Sequence, residues 1–258
     1  MPMTMAIVGG DARFALLAEL LRARGWDVRV DPPAEQLREA DGVIAQNPVK
    51  NGALDMAAIL ANLRPDAQLI LHGSSYCGIP MRVRCTDLMQ DVDFVLKNAH
   101  LTAEGAVCAA MNATQGALCR SRCLVVGYGR IGQALTQMLT GLGAQVTVAA
   151  RRAEMRQAAE RAGAQGCDCA EEALAAALGA ADFAFSTPPA PLLTEAVLRR
   201  SGTRARIIDL ASPPYGVDLA AARALGISAW RESALPGRYC PLAAAQVILE
   251  FVEKLMAD

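Results

Sequence analysis

Short apolar runs alternate with amphipathic helical patterns along the whole chain. In the first part, apolar runs predict strands at 5–8, 28–30, 42–45 and 68–71, with helices between them. One helix carries Phe14, Leu17 and Leu21 on a single stripe and ends at Gly25. Strands that alternate with helices are typical of a parallel sheet covered by helices, so the pattern predicts an α/β fold.

An alanine-rich segment interrupts this alternation and divides the chain. It predicts a helix from about His100 to Leu118, with Thr102 as its N-cap and Glu104 in its first turn. A second alternation follows, with strands at 123–126, 145–149, 183–186, 206–210 and 227–229 and a last helix at 241–256. The boundaries predicted are therefore a first domain at 1–99, a connecting helix at 100–119, a second domain at 120–235 and a final segment at 236–258.

Composition narrows the class of protein without selecting a function. The 258 residues are 53% hydrophobic and 20% charged, and the formal net charge is -1. This is a soluble globular composition, and it does not favour nucleic acid as a partner. The longest run without charge, 131–150, contains glycine, glutamine and threonine, and the N-terminus lacks a secretory pattern. We therefore expect a cytoplasmic protein without a membrane span.

The number and spacing of histidines and cysteines do not favour a metal site. The chain has two histidines and eight cysteines, and no two cysteines form a C-x-x-C pair. Zinc ribbons and thioredoxin-like redox sites need such pairs, so we expect no bound metal and reduced cysteines.

A glycine-rich turn predicts a nucleotide site in the second domain. The residues G-x-G-x-x-G follow a predicted strand directly and open a helix, which is the context that makes this motif specific. The first glycine allows the tight turn, the second lets a pyrophosphate approach the backbone, and the third lets the helix pack on the strand. The predicted cofactor contacts are Gly127, Tyr128, Gly129, Arg130, Ile131 and Gly132.

The next strand indicates which dinucleotide is preferred. An acidic residue after this strand would bind the ribose diol of NAD, whereas arginine accommodates the 2'-phosphate of NADP. Here Arg151 and Arg152 follow the strand and no acid precedes Glu154. This favours NADP, with NAD as the alternative if either arginine is a solvated side chain at the helix start or stacks on adenine.

Several segments together resemble the dipicolinate synthase A subunits, the dehydrogenase-like subunits of an enzyme of spore-forming bacteria. The segments that carry the resemblance are 7–13 (I-V-G-G-D-A-R), 101–105 (L-T-A-E-G), 127–132 (G-Y-G-R-I-G), 208–213 (I-D-L-A-S-P) with Gly216 and Asp218, and 235–237 (L-P-G) with Pro241. The G-G-D-A-R start and the D-L-A-S-P segment are the most specific of these. One departure is 47–50 (N-P-V-K), where a longer loop rich in glycine, threonine and serine is usual.

The resemblance implies two Rossmann-like, doubly wound α/β domains, with the C-terminal helix returning to the first domain. It implies an NAD(P)-dependent oxidoreductase that converts a hydroxylated, partly reduced pyridine dicarboxylate to dipicolinate during sporulation, in the mother-cell cytoplasm. It also implies a partner, the flavoprotein-like second subunit of dipicolinate synthase. Two-domain dehydrogenases of this shape often form dimers, so we expect a homodimer.

This chemistry needs donors for the carboxylates of a small cyclic dicarboxylate. Arg13 follows a strand-to-helix turn and can donate two parallel hydrogen bonds, although it can instead pair with Asp11 or Glu19 on the helix surface. The hydroxyls of Ser74 and Ser75 follow another strand of the same domain. Arg238 lies shortly before the last helix and is a further candidate.

Loops at the strand ends of the second domain and residues near the connecting helix complete the predicted site. Open α/β sheets bind ligands at the carboxyl ends of their strands. The candidate cofactor contacts there are Thr187, Pro188, Leu210 and Ala211, and the candidate catalytic residues are Arg13, Asn98, Thr102 and Ser212. For Asn98 and Thr102, a role in the turn and cap of the helix is the alternative. His100 and Glu104 are weaker acid–base candidates, because a histidine or acid at a helix start is usually structural.

Two other functions fit the same residues. One is a different small-acid or amino-acid dehydrogenase on this architecture, since a fold does not fix a substrate. The other is a non-catalytic nucleotide-binding subunit, which the lack of an obvious histidine base favours.

Overall fold

The computed structural model describes residues 2–46, 48–49, 51–73, 79–114 and 116–257. The chain divides into two compact units, one formed by Met1–Asn98 and Pro236–Asp258 and the other by Ala99–Leu235. Each unit is built on one parallel sheet. This confirms the α/β fold class expected from the alternating pattern.

Helices and strands alternate as the hydrophobic pattern predicts. Up to residue 114 they are β1 Thr4–Val8, α1 Ala12–Ala23, β2 Asp27–Val30, β3 Gly42–Gln46, α2 Met56–Asn62, β4 Gln68–His72, β5 Arg84–Asp87 and α3 Val92–Thr114. After it they are β6 Arg122–Val126, α4 Arg130–Gly141, β7 Gln145–Ala149, α5 Ala153–Arg161, β8 Gln165–Cys167, α6 Glu171–Ala180, β9 Phe183–Ser186, α7 Glu195–Ser201, β10 Arg206–Asp209, α8 Leu219–Ala224, β11 Ala229–Arg231, α9 Leu235–Tyr239 and α10 Pro241–Ala257. Short 3-10 turns lie at Ala34–Glu39 and Leu88–Gln90.

The sheet of the first unit has the order β2-β1-β3-β4-β5. The chain reverses direction across the sheet between β1 and β3, so the loops after these strands flank the position where open α/β sheets bind ligands. Helices α1 and α10 cover one face, where Leu17, Leu21, Ile248 and Val252 belong to one buried cluster. The other face packs against a second cluster that includes Leu37 and residues of α2.

The sheet of the second unit has the order β11-β10-β9-β6-β7-β8. This is the order of a dinucleotide-binding domain, with the reversal between β6 and β9. Strands β6 and β9 are buried almost throughout because helices cover both faces, and their side chains are therefore apolar on both sides. The glycine-rich turn follows β6, so it lies at this reversal.

The predicted connecting helix is wrong at both ends. Helix α3 begins at Val92 rather than His100 and ends at Thr114 rather than Leu118. Asp91 accepts a hydrogen bond from the backbone N–H of Phe94 and supplies the start that we assigned to Thr102. Thr102 is a buried residue in the helix interior, so its predicted role as N-cap is wrong.

Other differences concern short edge strands. The last strand of the second sheet is β11, two residues later than the predicted 227–229. The pattern also did not locate β5 and β8, which are three or four residues long and lie at sheet edges. Strands this short carry too few residues to establish a period.

Over the described ranges, no helix is long and apolar enough to cross a membrane. The same residues contain no group of three or more His, Cys, Asp or Glu side chains arranged to hold a metal ion.

Candidate functional site

The glycine-rich turn of the second unit requires glycine at its first and last positions. Gly127 has a φ of +88°, and a Cβ placed on it would lie 2.7 Å from Thr187 Oγ1. A Cβ on Gly132 would lie 2.2 Å from the carbonyl oxygen of Gly127. The helix therefore starts in direct contact with the turn, which any larger residue would separate.

The packing of the protein does not require glycine at the middle position of the motif. Gly129 is the N-cap of α4 with a φ of −77°, which alanine also adopts, and a Cβ there would have no protein atom within 4 Å. Space is therefore left beside the backbone at the N-terminus of a 12-residue helix, where free N–H groups and the helix dipole favour phosphate. Neighbouring Arg130 is exposed, whereas the ring of Tyr128 is buried and its hydroxyl donates to the carbonyl of Ala158.

Thr187 and Pro188 close the other side of this turn. Both the backbone N–H and the hydroxyl of Thr187 donate to the carbonyl of Val126, each at 3.0 Å. A Cβ on Gly127 would also lie 3.0 Å from Cδ of Pro188. The residues after β9 thus contact the turn after β6 and shape a cradle that fits a dinucleotide pyrophosphate.

The end of β7 is basic. Arg151 and Arg152 are both exposed, and one residue, Ala150, separates them from the end of the strand. The guanidinium of Arg156 donates to the carbonyls of Ala150 and Arg151 and pairs with Asp168 at 2.7 Å. The carboxylate of Asp168, after the next strand, is therefore engaged, and Arg151 is left exposed on a loop held in place by Arg156.

Beyond β10, the predicted loop residues lie on a turn held by Asp209. The backbone N–H groups of Ala211 and Gly216 donate to Oδ1 of Asp209, whose side chain is fully buried. Ala211 is buried, Leu210 is partly exposed and Ser212 is exposed. The structure thus brings Leu210 and Ala211 to the carboxyl edge of the sheet that carries the glycine turn, and it leaves the Ser212 hydroxyl accessible.

In the first unit, Arg13 lies in a cluster with Asp11 and His72. Its Nε and Nη2 donate to the carboxylate of Asp11 at 2.9 and 2.6 Å, and its Nη1 lies 3.2 Å from Nε2 of His72. The Arg13 side chain is only 6% exposed. The alternative pairing with Asp11 is therefore present in the structure, and Asp11 also caps α1 by accepting from the backbone N–H of Arg13.

The backbone of Gly237 lies very close to the side chains of Asp11 and Arg13. Gly237, which precedes α10, would place a Cβ 2.8 Å from Oδ2 of Asp11 and 3.0 Å from Nε of Arg13. Only glycine fits without moving the ion pair. The L-P-G segment singled out in the sequence thus packs directly on the G-G-D-A-R start.

His72 is an acceptor in this cluster and is neutral at physiological pH. Burial, together with the positive charge of Arg13, lowers the pKa of His72 to about 4. Its ring makes edge contacts with Phe14 and Phe94 at centroid distances of 6.1 and 5.9 Å. Burial acts to raise the pKa of Asp11, but hydrogen bonds and the charge of Arg13 hold that pKa below its ordinary value.

His72 should make the protein less stable in mild acid. Between its ordinary pKa of 6.5 and its folded pKa of about 4, only the unfolded chain binds the proton, so stability is present above pH 6.5 and falls toward pH 4. The expected loss is up to roughly 3 kcal/mol. Urea unfolding at pH 7 and at pH 4.5 measures it, and His72→Gln, whose amide oxygen replaces Nε2 as acceptor, should abolish most of it.

His100→Gln is the matched control and should keep the wild-type difference between the two pH values. Carboxylates with lowered pKa, such as Asp41 and Asp182, lose their contribution only below about pH 3.8, outside this window. An acid loss that persists unchanged in His72→Gln would show that another group causes it.

The structure describes some of the remaining predicted residues and not others. Ser74 and Ser75 lie outside the described residues, as do Asn47 and Lys50 of the unusual loop. Asn98 and Thr102 lie within α3 rather than at its start. Arg238 is exposed on the short helix α9, with its guanidinium 5.3 Å from the ring of Tyr239.

Comparison with known proteins agrees with this geometry. Residues 94–208 match the family model for the NAD-binding domain of D-isomer specific 2-hydroxyacid dehydrogenases. A curated relative, the dipicolinate synthase A-type subunit of Bacillus subtilis (strain 168), is 30% identical over 171 residues, which are 66% of this chain and 57% of the relative. The chain resembles the dehydrogenase-like subunit of dipicolinate synthase.

Solved structures extend this likeness to dipicolinate synthase over the whole fold. The crystal structure of the corresponding subunit from Bacillus halodurans matches with a TM-score of 0.86 at 23% identity, covering 99% of this chain and 98% of the other. The Bacillus subtilis structure matches with a TM-score of 0.85 at 22% identity, covering 100% and 96%. The resemblance to dipicolinate synthase predicted from the sequence is thus confirmed, and the family model supports a nicotinamide cofactor in the second unit.

Sequence reasoning missed three side chains that the structure singles out. His72 contacts Arg13 although 59 residues separate them, and Arg231 lies beside Asp209, 22 residues earlier in the chain. Tyr215 packs against Arg231. For His72 a signal existed, because it directly follows the predicted strand 68–71, and strand ends gather at one edge of a parallel sheet. For Arg231 the misplaced last strand hid the residue in an expected loop.

Proposed function

We propose that this chain is an NADP-preferring oxidoreductase of the dipicolinate synthase type. The observation that carries the proposal is the glycine cradle at the reversal of the second sheet, with exposed Arg151 after the neighbouring strand. The resemblance to dipicolinate synthase supports a cyclic pyridine dicarboxylate as substrate. By the same resemblance, the partner is the flavoprotein-like second subunit of that enzyme and the setting is the mother-cell cytoplasm of a sporulating bacterium, with the chain as a homodimer.

The proposed reaction leads to an aromatic ring. A hydroxytetrahydropyridine dicarboxylate loses one water, and the resulting dihydropyridine then loses one hydride and one proton to give pyridine-2,6-dicarboxylate. Bound NADP would supply the hydride acceptor. The protein must hold the cofactor and ring in register, bind the carboxylates and let a proton leave.

The described residues supply parts of this machinery. Gly127, Gly129 and Gly132 would hold the cofactor pyrophosphate at the start of α4, and Thr187, after the neighbouring strand β9, fixes the turn. Arg13 presents a buried guanidinium whose fork of Nε and Nη2 is taken by Asp11, so a substrate carboxylate meets its remaining N–H groups. Neutral His72 holds Nη1 of Arg13 and keeps that side chain oriented.

Other assigned roles rest on position alone. Ser212 is exposed at the carboxyl edge of the second sheet, where its hydroxyl can contact substrate or cofactor. Asn98 and Thr102 stay candidate catalytic residues and Arg238 a candidate substrate contact, as the sequence predicts. Ser74 and Ser75, outside the described residues, stay candidate substrate contacts from the sequence alone.

A direct assay tests the proposal. The purified chain is mixed with freshly generated hydroxytetrahydrodipicolinate and NADP, with and without the flavoprotein-like partner, while dipicolinate absorbance and NADPH formation are followed. We expect both signals to rise together in at least one mixture. No cofactor-dependent dipicolinate signal in either mixture would refute the proposed function, and NADP binding without hydride transfer would identify a nucleotide-binding subunit instead.

The family model for 2-hydroxyacid dehydrogenases favours one further candidate, a dehydrogenase of small 2-hydroxy acids. A panel of 2-hydroxy and amino acids with NADP separates the two. Turnover of a panel member faster than that of the pyridine precursor would favour this second function.

Arg151→Asp should change the preference between the two dinucleotides. The substitution removes an exposed positive charge and places a carboxylate where the ribose diol of NAD would bind. We expect the affinity for NADPH to fall about tenfold or more and that for NADH to fall little or rise, as measured by calorimetry. The matched control is Arg161→Asp in the same unit, at the opposite end of α5. Equal losses for both dinucleotides in Arg151→Asp would contradict recognition of the 2'-phosphate.

A further inference from the structure

Arg231 is fixed against the carboxyl edge of the second sheet by a buried carboxylate. It ends β11 in register with Asp209 of β10, and its Nε and Nη2 both lie 3.3 Å from Oδ2 of Asp209. Asp209 is fully buried, whereas the Arg231 side chain is 30% exposed. The charge of Asp209 is shared with the backbone N–H groups of Ala211 and Gly216, so Arg231 is one of three donors to it.

An aromatic ring fixes the flat face of the same guanidinium. Its central carbon lies 3.4 Å from the centroid of the Tyr215 ring, which is stacking contact. Tyr215 has a φ of +70°, a conformation that costs a residue other than glycine about 1 kcal/mol or more. The turn from Ser212 to Tyr215 is closed by a backbone hydrogen bond of 2.9 Å. The strained backbone thus holds the tyrosine over the arginine.

Two neighbouring side chains fix the guanidinium of Arg231, and one side of it is left for a ligand. Asp209 takes Nε and one N–H of Nη2, and Tyr215 covers a face. Within the described part of the chain, Nη1 and the second N–H of Nη2 have no hydrogen-bond acceptor. These groups form the end-on fork that binds a carboxylate through two parallel hydrogen bonds. A preoriented arginine loses less side-chain entropy when it binds an anion than a free one does.

We propose that Arg231 binds a carboxylate of the substrate and orients the ring against the nicotinamide. This rests on the proposed function. In dinucleotide-binding domains with this strand order, each half of the sheet binds one mononucleotide of the cofactor. The glycine-rich turn after β6 and Arg151 after β7 indicate that the adenosine would bind at β6, β7 and β8. The other half, β9, β10 and β11, therefore lies under the nicotinamide, and Arg231 ends the last strand of that half.

The test measures binding to the purified chain saturated with NADPH. Pyridine-2,6-dicarboxylate is titrated by calorimetry into the wild type, Arg231→Met and Arg231→Lys. Loss of a charged, two-point contact should raise the dicarboxylate Kd about tenfold to a hundredfold in Arg231→Met, with a smaller rise in Arg231→Lys. The NADPH Kd should stay within about twofold, which also shows that the unit is folded. If Arg231→Met does not fold, Arg231→Lys, which keeps a positive charge beside Asp209, carries the test.

Arg206→Met is the matched control. Arg206 lies at the opposite end of β10, 5.9 Å from the ring of Phe183, and is another arginine over an aromatic ring in the same sheet. It should leave both Kd values unchanged. The proposal is overturned if Arg231→Met binds the dicarboxylate as the wild type does, if the NADPH Kd rises by the same factor, or if the wild type binds no dicarboxylate. Binding that depends on Arg231 without any turnover would instead refute only the proposed reaction.

Discussion

Gly129→Ala is expected to weaken NADPH binding at least about tenfold while leaving the free energy of unfolding unchanged. The added methyl meets no protein atom within 4 Å and the backbone of Gly129 suits alanine, so the folded chain tolerates it. The same methyl occupies the space through which a pyrophosphate reaches the N–H groups of the turn. Calorimetric titration with NADPH and thermal unfolding measure the two quantities separately.

Gly132→Ala should affect both quantities, because its methyl would lie 2.2 Å from the carbonyl oxygen of Gly127. The start of α4 must then move, at a cost of about 1–3 kcal/mol, and cofactor binding should fall below detection. Gly141→Ala, the same change at the other end of α4 with no neighbour within 4 Å, is the control for both variants. A Gly129→Ala protein with wild-type NADPH affinity would show that the cofactor does not bind over this turn.

Asp209→Ala is expected to destabilise the protein by about 3–5 kcal/mol. The change removes a fully buried carboxylate that accepts from the backbone of Ala211 and Gly216 and pairs with Arg231. Two buried N–H groups lose their acceptor and a partly buried cation loses its partner. Chemical unfolding at pH 7 measures the loss.

A surface pair in the same sheet provides the comparison. Asp182 pairs with Arg122 at 2.9 Å, and both side chains are about half exposed. Asp182→Ala should cost only about 1 kcal/mol, because water replaces the lost partner. If the two alanine variants lost equal stability, Asp209 would not organise the loop as described.

The fold could be predicted from the sequence where a strand is a continuous apolar run or where a short motif specifies the local structure. Strands β1, β3, β6 and β9 are continuous apolar runs because both of their faces are buried, and the glycine turn is a local motif whose spacing alone specifies a strand, a tight turn and a helix. The start of α3 was misplaced because Thr102 and Glu104 imitate a helix start, while Asp91, eleven residues before Thr102, supplies the acceptor. Residue preferences of this kind mark possible N-caps, but they do not decide which of two candidates begins the helix.

The candidate site was less predictable because its contacts join distant residues. The loop residues after β9 and β10 could be named because strand ends gather at one edge of a parallel sheet. Which side chains touch there depends on register, and register pairs Asp209 with Arg231 across two strands. The pairing of Arg13 with Asp11 was foreseen as an alternative, since the two lie close together in the sequence, but the contact with His72 required the β1-β3-β4 order.

The discontinuous first unit has a consequence for the order in which the chain folds during synthesis. Residues 99–235 form one uninterrupted unit, so they can fold as soon as they have emerged from the ribosome. The first unit must wait for α10, because Ile248, Leu249 and Val252 cover the apolar stripe of α1. The segment made first is therefore completed last, and until then the side of α1 that α10 covers stays exposed, in a partly folded unit of the kind that is prone to aggregate.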